Sequence, residues 1–86
     1  MSKKTSRWIV QASEETCDLL AEEMKSCPQV VGTFTDSGFW YSNGETGPEW
    51  FTVTVEANYY DKEKVEAFLE EICKLKGLKT GNAYWG

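Results

Sequence analysis

The stretch WFTVTVE, Trp50 to Glu56, alternates apolar and polar side chains after its first residue. Successive side chains of a strand point to opposite faces. Phe51, Val53 and Val55 therefore share one face, and Trp50, Thr52, Thr54 and Glu56 share the other. The first set belongs in a core. The second is polar apart from Trp50 and belongs outside it. A strand with one wet face fits an antiparallel sheet packed on one side only.

The flanking sequence supplies what packs there. RWIVQA (7–12) is β-prone and predicts a first strand. Ser13 suits an N-cap, with Glu14 and Glu15 facing the positive end of the helix dipole. Cys17, Leu20, Ala21 and Met24 follow at the spacing of an amphipathic stripe, and Pro28 stops that helix. VVGTFT (30–35) predicts a second strand. Asp36-Ser37-Gly38 predicts a bulge or kink before FWYS resumes it, and NGETGP (43–48) predicts a turn or short loop. Asp61 is placed to cap a second helix with Val65, Phe68, Leu69 and Ile72 as its stripe and Gly77 as its stop. Thr80–Trp85 fits a short last strand.

The order is β-α-β-β-α-β. Leu20-Ala21-Glu22-Glu23-Met24 and Phe68-Leu69-Glu70-Glu71-Ile72 repeat one pattern 48 residues apart, as two equivalent βαβ halves would. The expected fold is a single α+β domain over residues 7–86, a ferredoxin-like sandwich. Its four-stranded antiparallel sheet carries two helices on one face, and residues 1–6 form a disordered N-terminus. The other face of the sheet is left bare.

The aromatic residues have to be divided between those faces. Phe39, Trp40, Tyr41, Trp50 and Phe51 fall within seventeen residues. If Tyr41 sits opposite Trp50, then Trp40 pairs with Phe51 in the core, and Phe39 and Tyr41 join Trp50 outside. That register also buries Val30 and Phe34, provided that no bulge shifts the strand. A slip by one residue reverses Phe39, Trp40 and Tyr41. Either register leaves Trp50 and another large ring on the bare face, beside Arg7, Ile9, Gln11, Thr52 and Thr54, with Tyr84 or Trp85 extending it. Trp8 and Val10 go to the core. The exposed rings either cover one another across strands or form a contact patch.

The charge pattern narrows the partners. The 86-residue chain has a net charge of −5. Acids concentrate at Glu14, Glu15, Asp18, Glu22 and Glu23, and again at Asp36, Glu45, Glu49 and Glu56. Such a surface disfavours direct nucleic-acid binding and complements a basic protein surface. No apolar stretch is long enough to span a membrane. Three irregularly spaced cysteines are not a disulfide framework and fit a reduced, cytoplasmic protein. Cys17 and Cys73 sit on or beside helix stripes as buried thiols, while Cys27, before Pro28, is placed to be exposed. There is no histidine, hence no imidazole base, and no zinc pattern. No cofactor or metal site and no enzymatic activity are expected.

The fold order resembles the acylphosphatase shape, but Gln11-Ala12-Ser13-Glu14 carries no arginine for a phosphate cradle. It also resembles RNA-recognition domains, yet Ile9, Thr52 and Thr54 stand where stacking rings would be needed. Phage-encoded inhibitors of host defence, anti-CRISPR proteins among them, are similar in size and charge. The expected function is a non-enzymatic interaction module that presents acids beside exposed rings and occupies a basic, nucleic-acid-binding surface of a larger protein. Its contact residues would be Trp50, Tyr41, Phe39, Glu45, Glu49, Glu14, Glu15, Asp18, Glu22 and Glu23. The alternative is a small-molecule-binding or regulatory domain that forms a homodimer through the open sheet.

Overall fold

The computed structural model describes residues 5–86. β1 (Thr5–Ala12) opens the chain, so Thr5 and Ser6 belong to the sheet rather than to a disordered end. The expectation for residues 1–4 lies outside the described residues. Ser13 caps α1 (Glu14–Glu23), its Oγ accepting the Thr16 N–H at 3.3 Å. The helix tightens into a 3₁₀ turn over Met24–Ser26 and ends ahead of Pro28. β2 (Val30–Ser42) and β3 (Glu45–Asn58) form a long hairpin. α2 (Lys62–Lys76) and β4 (Thr80–Trp85) complete the order. The strands run β2-β3-β1-β4, all neighbours antiparallel, which is the expected ferredoxin-like arrangement.

One core lies between the sheet and the helices. Trp8, Val10, Val53 and Val55 from the strands meet Leu20, Met24, Val65 and Leu69 from the helical segments, all buried. Trp8 also stacks on Trp85, with centroids 5.6 Å apart and planes 8° from parallel. Cys27, expected at the surface, is buried at 2 % exposure because the turn after α1 folds it under the sheet edge. α2 starts differently from the expectation. Asn58 Oδ1 accepts the Tyr60 N–H at 3.0 Å and caps a 3₁₀ turn over Tyr59–Asp61, while Asp61 makes no side-chain cap. Gly77 ends α2 at φ 66°, left-handed as a helix stop requires.

The hairpin differs most from its sequence reading. Asn43 and Gly44 alone form the turn, at φ 51° and 81°, and β3 begins at Glu45. Positive φ at both central residues is the type I′ arrangement that matches strand twist. No neighbour lies within 4 Å of a Cβ placed on Gly44, so substitution there costs only backbone strain. Gly44→Ala is expected to lower stability by ~1–2 kcal/mol in chemical denaturation. An unchanged midpoint would mean that the turn is built another way.

β2 runs unbroken through Asp36-Ser37-Gly38. Gly38 serves close approach there: a Cβ on it would clash with Trp50 Cζ2, so the indole lies over bare backbone. Irregularities occur elsewhere. Val30 pairs with Ala57 and Gly32 with Glu56, which leaves Val31 as an extra residue. This bulge reverses the alternation that follows, so Phe34 faces outward opposite Thr54 and is 42 % exposed, not buried. Near the tip, Phe39 pairs with Glu49 but Tyr41 with Thr46, which places the extra residue at Gly47-Pro48, opposite Trp40. Proline lacks an N–H and fits a bulge. Neither expected register occurs, since Gly38 stands opposite Trp50 and Ser37 opposite Phe51.

Candidate protein-interaction site

β1 pairs with β3 only as far as Gln11 opposite Thr52. Beyond that point Ser37–Ser42 and Glu45–Phe51 run on as a two-stranded arm without a third strand. Alternation gives the arm two sides. Phe39 and Tyr41 fall on the side that continues the helix-covered face, together with Glu49 and Phe51. Trp40 and Trp50 fall on the side that continues the bare face, and Glu45, paired with Ser42, falls there too.

α1 begins immediately after β1, so its N-terminus comes down beside the root of this arm. A hollow of about 230 Å³ lies between them, lined by Glu14, Cys17, Asp18, Thr35, Asp36, Ser37 and Phe51. Glu14, Glu15 and Asp18 form no ion pair among the described residues. Glu22 pairs with Lys25 at 3.4 Å and Glu23 with Lys76 at 3.6 Å, toward the other end of the helix. The unpaired acids of α1 therefore lie on the same side of the molecule as Phe39 (52 % exposed), Tyr41 (75 %) and Glu49. Trp50 and Glu45, expected in the same site, stand on the opposite side.

Cys17 carries the one thiol at the hollow. Burial pushes its thiol above the ordinary value of 9.0, the Asp18 carboxylate adds to the rise, and a backbone hydrogen bond at Ala12 acts against it. The group is thus a protonated thiol at neutral pH. A folded-state value above the unfolded one holds its stability below about pH 9 and loses it as pH rises through the folded value. Cys73 is raised in the same direction, by burial and then Glu70. Urea unfolding of Cys17→Ala is expected to fall less steeply than the parent above about pH 9. Parallel curves would remove the burial argument.

The bare face is a second surface, chemically different. A hollow of about 240 Å³ there is lined by Ile9, Phe34, Trp50, Thr52, Thr54 and Tyr84, with Arg7 and Asp36 at its edges. Trp40, Trp50 and Tyr84 border a neighbouring one of about 210 Å³. Thr52 and Thr54 are buried although no helix covers them, because the large side chains around them close over the floor. Ile9, Gln11, Thr52, Thr54 and Tyr84 occupy this face as expected, whereas Trp85 turns inward onto Trp8. Trp40 stands on this face as the slipped register would place it, and Phe34 is the addition. The Asn-Gly dipeptide could have revealed the true turn, but nothing local marks the Val31 bulge that exposes Phe34.

Among the described residues no cluster of acids and cysteines could hold a metal ion, and no helix is long and apolar enough to cross a membrane. No protein family matches the chain. No curated protein matches it either. The chain is similar in fold to the crystal structure of a DUF3240 family protein from Shewanella baltica. The match covers all of this chain and 88 % of that one, at a TM-score of 0.63 and 12 % identity. At that identity the likeness concerns architecture alone.

Proposed function

We propose that this chain is a non-enzymatic interaction protein that occupies a basic surface of a larger protein, such as one that otherwise binds nucleic acid. The observation that carries the reading is that Glu14 and Asp18 line a shallow hollow at the root of the arm whose exposed Phe39 and Tyr41 continue the same side of the sheet, with Glu15 next to them on α1. Unpaired carboxylates steer a basic partner, and rings with few rotatable bonds anchor it once docked. The protonated Cys17 thiol and the absence of histidine favour binding over nucleophilic chemistry. Three free cysteines suit a reducing, cytoplasmic setting.

The test is affinity capture from the native host, followed by binding measurements on the captured protein. The complex is expected to weaken with salt, and to weaken further when Phe39 and Tyr41 are replaced by alanine. A complex indifferent to both would refute the assignment.

A further inference from the structure

β2 and β4 are the two edges of the sheet. β4 has 6 residues, and its ladder with β1 is broken by a bulge. β2 has 13, and residues 32–39 pair with 49–56 without interruption. No lysine, arginine or proline, the residues that blunt an edge, stands in β2.

The ladder shows which backbone groups of this edge are open. Arg7 and Gly86 exchange both N–H to O bonds, at 3.2 and 2.8 Å, so Arg7 turns its backbone toward β4. Such residues alternate along an antiparallel strand. Trp8 and Val10 therefore bond Val55 and Val53, and Thr52, Thr54 and Glu56 turn to β2, where they hold Asp36, Phe34 and Gly32. Thr33, Thr35 and Ser37 are left with N–H and C=O directed outward. Ser37 agrees with this: its N–H donates to Asp36 Oδ1 at 2.9 Å. The side chains of these three residues lie on the helix side. Thr33 Oγ1 donates to the Ala21 carbonyl at 2.8 Å, and Thr35 and Ser37 line the hollow with Glu14 and Asp18.

We infer, on the reading that the acidic surface docks a basic partner, that this edge takes up an extended basic segment of that partner as an additional antiparallel strand, with a lysine or arginine side chain in the hollow. Main-chain bonds to Thr33, Thr35 and Ser37 hold such a strand, and the residue opposite each of them shares its face. The side chain beside Thr35 and Ser37 thus meets Glu14, Asp18 and Asp36, carboxylates that form no ion pair among the described residues. A cation also gives Asp36 another partner and releases the Ser37 N–H. Phe39, next in the same row, flanks the end of the strand. Charge separates this occupant from a second copy of the chain, whose β2 would bring the same three carboxylates against their equivalents.

The probe is a peptide of four Arg-Thr repeats, capped at both ends and titrated to ~1 mM onto the full chain, with amide exchange followed by NMR. Near saturation, exchange at the Thr33 and Thr35 N–H groups is expected to slow by about ten-fold or more, which contact through side chains alone does not produce. N-methylation of the arginine nitrogens, which face β2, is expected to weaken binding by about ten-fold or more. N-methylation of the threonine nitrogens, which face away, is expected to leave it near the parent value. Thr35→Pro removes one outward N–H where an edge strand tolerates proline, and is expected to weaken binding about ten-fold, whereas Thr35→Val keeps the N–H and binds near the parent value. Circular dichroism verifies the fold of both variants, and the methylated peptides decide without them. No binding, unprotected Thr33 and Thr35 amides, or equal losses from the two methylations would overturn the inference. Salt-sensitive binding with unprotected amides would overturn it while leaving the acidic surface as a docking site. Protected amides, together with a captured partner indifferent to salt and to the loss of Phe39 and Tyr41, would leave the edge standing and remove the proposed function.

Discussion

Trp8→Ala is expected to lower the unfolding free energy by ~4 kcal/mol, the middle of the range for removing a large core ring. For a chain of 86 residues the whole stability is on the order of 4–13 kcal/mol. The loss therefore approaches global unfolding at 37 °C. Trp8 is 6 % exposed and stacks on Trp85, so its removal opens a cavity and strips β4 of its main anchor. β4 is an edge strand with only β1 beside it, and all but one of its residues are exposed. The variant should lose protection at Thr80–Trp85 in hydrogen exchange before the remaining sheet. Trp8→Phe keeps a ring on Trp85 and should recover about half of the loss. A Trp8→Ala protein with unchanged denaturation midpoint would mean that the Trp8–Trp85 stack does not hold β4.

Glu14→Lys combined with Asp18→Lys is expected to weaken the partner complex about a hundred-fold at low salt, mostly through slower association. The two reversals move the net charge by four, from −5 to −1. Bulk charge alone could produce part of that loss. Glu70→Lys with Glu71→Lys makes the same change on exposed α2 positions that do not line the hollow. Screening shortens charge effects to about 10 Å at moderate salt, so the α2 variant should recover near-parent binding there and the α1 variant should not. Equal losses in both variants would assign the effect to net charge and take the site away from α1. A lysine at Glu14 also opposes the helix dipole, by ~0.3–1 kcal/mol, so Glu14→Gln with Asp18→Asn serves as the milder companion.

Much of the architecture was legible because its causes are local. The Trp50–Glu56 alternation depends on strand geometry alone, and so predicted that Phe51, Val53 and Val55 turn toward the helices, while the burial of Thr52 and Thr54 on the other face depends on the side chains around them. Ser13 caps α1 because its hydroxyl reaches an N–H three residues on, and Gly77 ends α2 because it tolerates the left-handed region. The candidate site was less legible. Its acids and rings were identified by type, but their grouping put Trp50 and Glu45 with residues that face the other way.

The reason lies in the two bulges. Each inserts one residue, and in a structure of period two that reverses every later side chain on its strand. Val31 turns Phe34 outward, and Gly47-Pro48 sets the partners of the tip. Whether a strand bulges depends on what its neighbour offers, and the neighbour is twenty residues or more away for Val31 and Ala57. By itself the sequence determined the elements, their caps, the order β-α-β-β-α-β and the faces of β3. Only the tertiary structure decided the hairpin register. That register sends Phe39 and Tyr41 to the acidic side and Trp40 and Trp50 to the bare one, because strand pairing, not local preference, sets where the extra residues go.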